Sequence, residues 1–187
     1  MLGLATMVAI LPQPKPNIVL ILCDDLGFHE IGVQGLKRVQ TPNIDRLART
    51  GTTFTRFYTS CPVCAPARAN LMTGKHNGHS PIRGNKEVGG WELNSGEGQF
   101  GLPPSEITLA ERFKSVGYTT AVTGKWGLGA PGTESAPNKH GFDYFFGYNC
   151  QRQAHNHYPA YLWQNSQVYL LPGNPYFNVH AKIKPED

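Results

Sequence analysis

The sequence has little charge and little cysteine, and no apolar run long enough to cross a bilayer. Charged residues are 16% of 187, and the net charge is +4. Lys and Arg never gather into a basic stretch or helix, which argues against a nucleic-acid-binding surface. The mild positive balance suits a small anionic substrate without naming one. Four cysteines, Cys23, Cys61, Cys64 and Cys150, are too few to staple a chain of this size. A hydrophobic core therefore has to hold it. No stretch offers the roughly 20 apolar residues of a membrane-spanning helix, and no internal repeat or domain linker is visible.

What is present reads as globular. Hydrophobic residues make up 40% of the chain, enough for one domain, or a piece of one, with a sizeable core. The 21 glycines and 15 prolines imply long ordered loops around a modest amount of regular structure. Residues 1–16, "MLGLATMVAILPQPKP", have an apolar run of signal-peptide length but no basic n-region. They are read as a leader or the remnant of an export signal, which would place the protein in the secreted or periplasmic space.

After the leader, Asn17 to Cys23 ("NIVLILC") is continuously apolar, the pattern of a strand buried on both faces of a parallel sheet. Thr41 to Gly51 predicts a helix, with Thr41 as N-cap, Pro42 in the first turn and Gly51 as stop. Thr52 to Tyr58 ("TTFTRFY") alternates as a strand. Ser105 to Tyr118 predicts a capped helix closed by Gly117, and Thr119 to Trp126 a strand. Beyond that the chain reads as aromatic loop, anchored by "FDYFFGY" and "PAYLW". Strand, helix, strand in this order implies a doubly wound, mostly parallel α/β sheet flanked by helices. Ligands in such folds sit beyond the carboxyl ends of the strands. Asp24 and Asp25, Cys64, and Lys125 each fall after an expected strand.

Asp24 and Asp25 repel each other unless a cation sits between them, and hard oxygen donors favour calcium or magnesium. The competing reading is a turn in which one carboxylate caps and the other is solvated. The stretch "SCPVCAPARANLMTGK" (Ser60 to Lys75) carries a CxxC pair that fits a redox dithiol, half a zinc site, a disulfide or packing. Zinc would need a second ligand pair, which Cys23 and Cys150 do not form in sequence. Thiol exchange gives no role to the acidic pair or to Arg68. Cys64 at a helix N-terminus, Arg68 one turn on and Lys125 at another strand end instead suggest a tetrahedral anion held for sulfuryl or phosphoryl transfer.

The run Cys64, Ala65, Pro66, Ala67, Arg68 resembles the CxPxR signature of the type I sulfatases, in the alkaline phosphatase superfamily. The resemblance extends over "PNIVLILCDDLG", "TPNIDRLARTGTTFTRFY", "TGKWGLG" and "HGFDYFFGY". It implies an arylsulfatase-like sulfuric ester hydrolase in which Cys64 is converted to Cα-formylglycine by a maturing enzyme. One hydroxyl of the hydrated aldehyde would attack sulfur and expel the alcohol, and the other would then release sulfate. Asp24, Asp25 and the formylglycine at 64 would bind Ca2+, or alternatively Mg2+. Arg68 would steady the formylglycine, Lys125 would bind a sulfate oxygen, and Cys61 would fill a variable position.

Two departures from the family pattern are visible. The family often has a histidine where this chain has Gly127, in "GKWGLG". His79 and His155 are candidates for that work, against a structural or solvated reading, and His155 is expected nearer the substrate. The family's remaining metal ligands lie in a half that residues 17–187 do not include. This span is therefore read as the N-terminal part of a sulfatase catalytic domain, with a sheet edge and a face left uncovered. The alternatives are an inactive sulfatase-like fragment or anion-binding module, a phosphonate or phosphate ester hydrolase, and a CxxC oxidoreductase.

Overall fold

The computed structural model describes residues 14–88, 100–155 and 157–174. Of the expected leader, 1–13 lie outside them, as do 175–187 of the expected catalytic part. The chain divides into two compact units, Met1–Thr53 and Phe54–Asp187.

In the first unit, α1 spans Pro42–Thr50, opened by Pro42 and closed by the Gly51 N–H on the Leu47 carbonyl at 2.9 Å. Thr41 does not cap in the way its sequence position suggests. Its hydroxyl instead donates to Asp45 Oδ1 at 2.9 Å and accepts the Gly32 N–H at 2.8 Å. Asp45 Oδ1 also accepts the Val33 N–H at 2.8 Å, so the start of α1 is tied to the 3-10 turn Gly32–Gln34.

The expected strand at Asn17 to Cys23 is absent: the segment has no regular structure, and its apolar side chains are exposed, Val19 to 83%. Thr52 to Tyr58 forms no strand either. An apolar, β-branched run is suited to a buried strand but does not make one. Its N–H and C=O groups need a hydrogen-bonded neighbour, and neither segment has a strand partner among the described residues.

The second unit holds α2 (Cys64–Thr73), α3 (Leu109–Ser115), β1 (Ala121–Lys125), β2 (Tyr144–Tyr148), α4 (Gln151–His155), β3 (Tyr161–Gln164) and β4 (Gln167–Leu170). The four strands form one sheet in chain order. β1 and β2 run parallel, while β2–β3 and β3–β4 are antiparallel. The sheet is therefore mixed rather than mostly parallel among the described residues.

α3 opens on a capping box. Thr108 Oγ1 accepts the Glu111 N–H, and Glu111 Oε2 accepts the Thr108 N–H at 2.7 Å. The stretch after Trp126, expected as loop, contains β2, α4 and a hairpin. Asn165, with φ 55°, turns that hairpin, and its Oδ1 accepts the Phe145 N–H at 2.9 Å. Phe145 lies at the centre of the core, fully buried, in a cluster with Trp126, Leu128, Phe142 and Trp163. Trp126 meets Phe142 edge to face, with ring centroids 5.8 Å apart.

Candidate active site

The parallel pair β1–β2 sets the position of Lys125. Gly124 and Gly147 face each other in its register, followed by Lys125 and Tyr148. A side chain at Gly147 would meet the Gly124 carbonyl oxygen at 1.9 Å, so the strands approach this closely only because 147 carries none. Beyond the pair, the Trp126 N–H donates to the Tyr148 carbonyl at 2.8 Å, and the Gly127 N–H to that of Asn149 at 3.1 Å. The two exits thus leave side by side. Burial pushes the Tyr148 phenol up, which keeps it a neutral hydroxyl opposite Lys125.

Cys64 is the first residue of α2, half-buried, after Val63 in extended conformation. The helix follows from its sequence. Small residues at 65 and 69 let it bury one face, Pro66 sits in the first turn where no N–H is needed, and Gly74 ends it in the left-handed conformation. Val63 supplies no side-chain cap. The Ala65 N–H instead donates to Asn85 Oδ1 at 2.8 Å, a cap from twenty residues away. Asn70, also buried, donates to Ser60 Oγ at 2.9 Å and anchors the segment that leads into the helix.

Arg68 stands one turn after Cys64 and donates through a guanidinium nitrogen to the Lys125 carbonyl. That bond joins α2 to the end of β1, bringing Arg68 and Lys125 together as their spacing could not reveal. His79 is exposed in the turn after α2, its N–H on the His76 carbonyl at 2.8 Å. His155 is exposed at the last position of α4. Gln151, at the first position of α4, is buried, and its Nε2 donates to the Gly127 carbonyl at 3.2 Å. The sequence reading missed both Gln151 and Asn85. The available signal for the first was a polar run, "NCQRQ", directly after an aromatic strand.

All four cysteines are free of disulfides. Cys61 and Cys64 are both half-buried, Cys23 is exposed and Cys150 buried. In the first unit, Asp24 and Asp25 form an exposed turn, with Asp25 at φ 60°. This takes the pair out of strand alternation, which would send consecutive side chains to opposite faces. A carboxylate oxygen of one lies within 4.8 Å of one from the other. Two hard anionic donors this close are suited to calcium or magnesium.

The frame of the candidate site is thus a mixed α/β sheet whose strand end at Lys125 is bound by Arg68, one turn into α2. The family model described as Sulfatase matches residues 16–182, and the chain belongs to that family. It is 41% identical over 142 residues to a steryl-sulfatase of Mus musculus, covering 73% of this chain and 22% of that protein. It is 42% identical over 153 residues to an N-acetylgalactosamine-6-sulfatase of Mus musculus, covering 79% and 28%. The crystal structure of Ps i-CgsB superposes with a TM-score of 0.69 at 31% identity, covering 84% of this chain and 38% of that one. The chain thus spans about a quarter of the length of these curated relatives. The resemblance carried by Cys64 to Arg68 and its companion motifs holds, as does the fold it implied. Family membership does not favour the thiol-exchange reading of Cys61 and Cys64.

Proposed function

We propose that residues 17–187 carry the nucleophile-bearing part of a sulfatase catalytic domain, which hydrolyses sulfate monoesters through a Cα-formylglycine made from Cys64 and a divalent cation. What supports this most is one constellation: Cys64 opening α2, Arg68 a turn later, and the Arg68 bond to the Lys125 carbonyl, in a chain of the Sulfatase family. The relatives' names differ in the alcohol, a sterol in one and an amino sugar in the other, and agree on the sulfate ester. The substrate class proposed is therefore the sulfate monoester.

The roles follow from the chemistry of each group. Asp24 and Asp25 offer the cation hard oxygen donors, with residue 64 as a further ligand, and Ca2+ is the first choice over Mg2+. When bound, the cation polarises a sulfate oxygen, and the formylglycine supplies the attacking hydroxyl. Arg68 gives one of its five N–H donors to the Lys125 carbonyl and is assigned the role of steadying the formylglycine at residue 64. The Lys125 ammonium binds a sulfate oxygen and offsets charge growing on the departing alcohol. His155 is assigned to the substrate side. Maturation requires a formylglycine-generating enzyme, and the export reading of residues 1–16 places the protein in the secreted or periplasmic space.

The test is peptide mass spectrometry of the chain co-produced with a formylglycine-generating enzyme. The aldehyde or its hydrate is expected at Cys64 and not at Cys61, and Cys64→Ala should abolish the modified peptide. An unmodified Cys64, with a control peptide converted in the same cells, would overturn the proposal.

A further inference from the structure

We infer that Gln151 is the positioning residue of the Lys125–Gly129 segment and, through it, of Arg68. The inference rests on the reading of Arg68 and Lys125 as groups that meet the sulfate. Gly127 has φ +68°, and a Cβ built there would lie 2.1 Å from Gln151 Nε2 and 2.6 Å from Gln151 Cδ. The glutamine amide thus takes the volume that any side chain at 127 would need.

Gln151 also holds what it displaces. Its Nε2 donates to the Gly127 carbonyl at 3.2 Å, and the Gly127 N–H donates to the Asn149 carbonyl at 3.1 Å. Both backbone polar groups of this one residue, one on each of its two flanking peptides, are therefore bound by the short segment 149–151. Glycine is otherwise free to rotate, so these two bonds set the direction in which the chain leaves β1. Two residues upstream is the Lys125 carbonyl that Arg68 grips. A shift at Gly127 tilts that carbonyl and moves the guanidinium relative to residue 64.

α4 also reaches the segment that carries the cap of α2. Arg152 pairs with Glu87 at 2.9 Å, two residues after the Asn85 that caps the first turn of α2. That ion pair is partly solvated and worth little by itself. Gln151 is only 2% exposed, and its bond is made out of water, so it carries the positioning.

The test uses the full chain and nuclear magnetic resonance of the Arg68 Nε–H. Gln151→Met keeps the length and most of the volume but removes the donor, since a thioether has no N–H or O–H. The Arg68 resonance of the free protein should move in this variant, and inorganic sulfate should bind roughly tenfold more weakly. A role in packing alone would leave the resonance where it is, and that result would overturn the inference.

A second measurement stands even if the methionine variant does not fold. Gly127→Ala should lower the thermal midpoint strongly in the native background and much less alongside Gln151→Ala. Additive effects would sink the inference. A native chain that ignores sulfate would count against the anion site itself, while the Arg68 resonance and the Gly127 cycle would still decide the role of Gln151.

Discussion

Asp143 shows how much one exposed carboxylate can organise. It precedes β2, and its oxygens accept from Lys114 Nζ at 2.5 Å, from the Thr120 N–H at 3.0 Å and from Thr120 Oγ1 at 3.2 Å. The Lys114 bond first, and then the Thr120 backbone, hold its carboxyl below the ordinary range. A depressed folded value means that the unfolded chain takes up the proton first as pH falls. The stabilisation is complete above the unfolded value of about 3.9 and is lost as pH drops through the lower folded one. Asp143→Asn should therefore lower the thermal midpoint at neutral pH and flatten its fall below about pH 4. A midpoint-versus-pH curve with an unchanged acid slope would show that the latch contributes nothing. From sequence Asp143 read as part of a packing segment, whereas Cys64 and Arg68 were legible from five consecutive residues. The difference is one of distance along the chain. A nucleophile motif is local, but the partners of Asp143 lie 23 and 29 positions away, and Gln151 meets Gly127 across 24.

Elements were legible where their own residues decide them. α1, α3 and β1 were legible from Pro42, Gly117 and the run into Lys125, because caps and periodicity act within a few residues, although α3 opens at Leu109 on the Thr108 cap rather than at Ser105. The segments at 17–23 and 52–58 carry strand patterns without strands, since pairing is a property of two segments and a pattern belongs to one. The β3–β4 hairpin is the opposite case. Asn165 and Ser166 between "YLW" and "VYL" were a turn signal that the surrounding aromatic residues obscured. α2 combines both situations, having a readable body and an unreadable cap. Asn85 satisfies the N–H of the residue next to Cys64, the work that an adjacent Ser or Asp does in most helices. Asn85→Ala should cost about 1 kcal/mol, within the 0.5–2 kcal/mol span of lost N-caps. Asn85→Asp, which keeps the acceptor and adds charge favourable at a helix start, should cost less. Urea unfolding would measure both, and an alanine variant as stable as the native chain would mean that water caps α2 equally well.

At the scale of the whole molecule, the α/β class was readable, but the location of its stability was not. The apolar run at 18–22 is exposed, while every buried apolar side chain among the described residues belongs to the unit Phe54–Asp187. That core is small and rich in aromatic residues, with Phe145 of β2 clustered with Trp126, Phe142 and Trp163. Removing its central ring should therefore be felt by the entire unit. Phe145→Ala leaves a cavity and should cost about 3–5 kcal/mol. Set against the about 5–15 kcal/mol that holds an ordinary domain together, this is enough to broaden or abolish a cooperative heat transition. Leu47→Ala, at a site 67% exposed on α1, should change stability by no more than about 0.5 kcal/mol. Scanning calorimetry with tryptophan fluorescence as a second probe separates the two, because Trp126 and Trp163 both lie in the core that Phe145 fills. If Phe145→Ala kept a sharp transition near the native midpoint, the cluster around β2 would not be the stabilising centre of its unit. The hold of that core on Lys125 and the α2 start would then have to come from the hydrogen bonds at the strand exits alone.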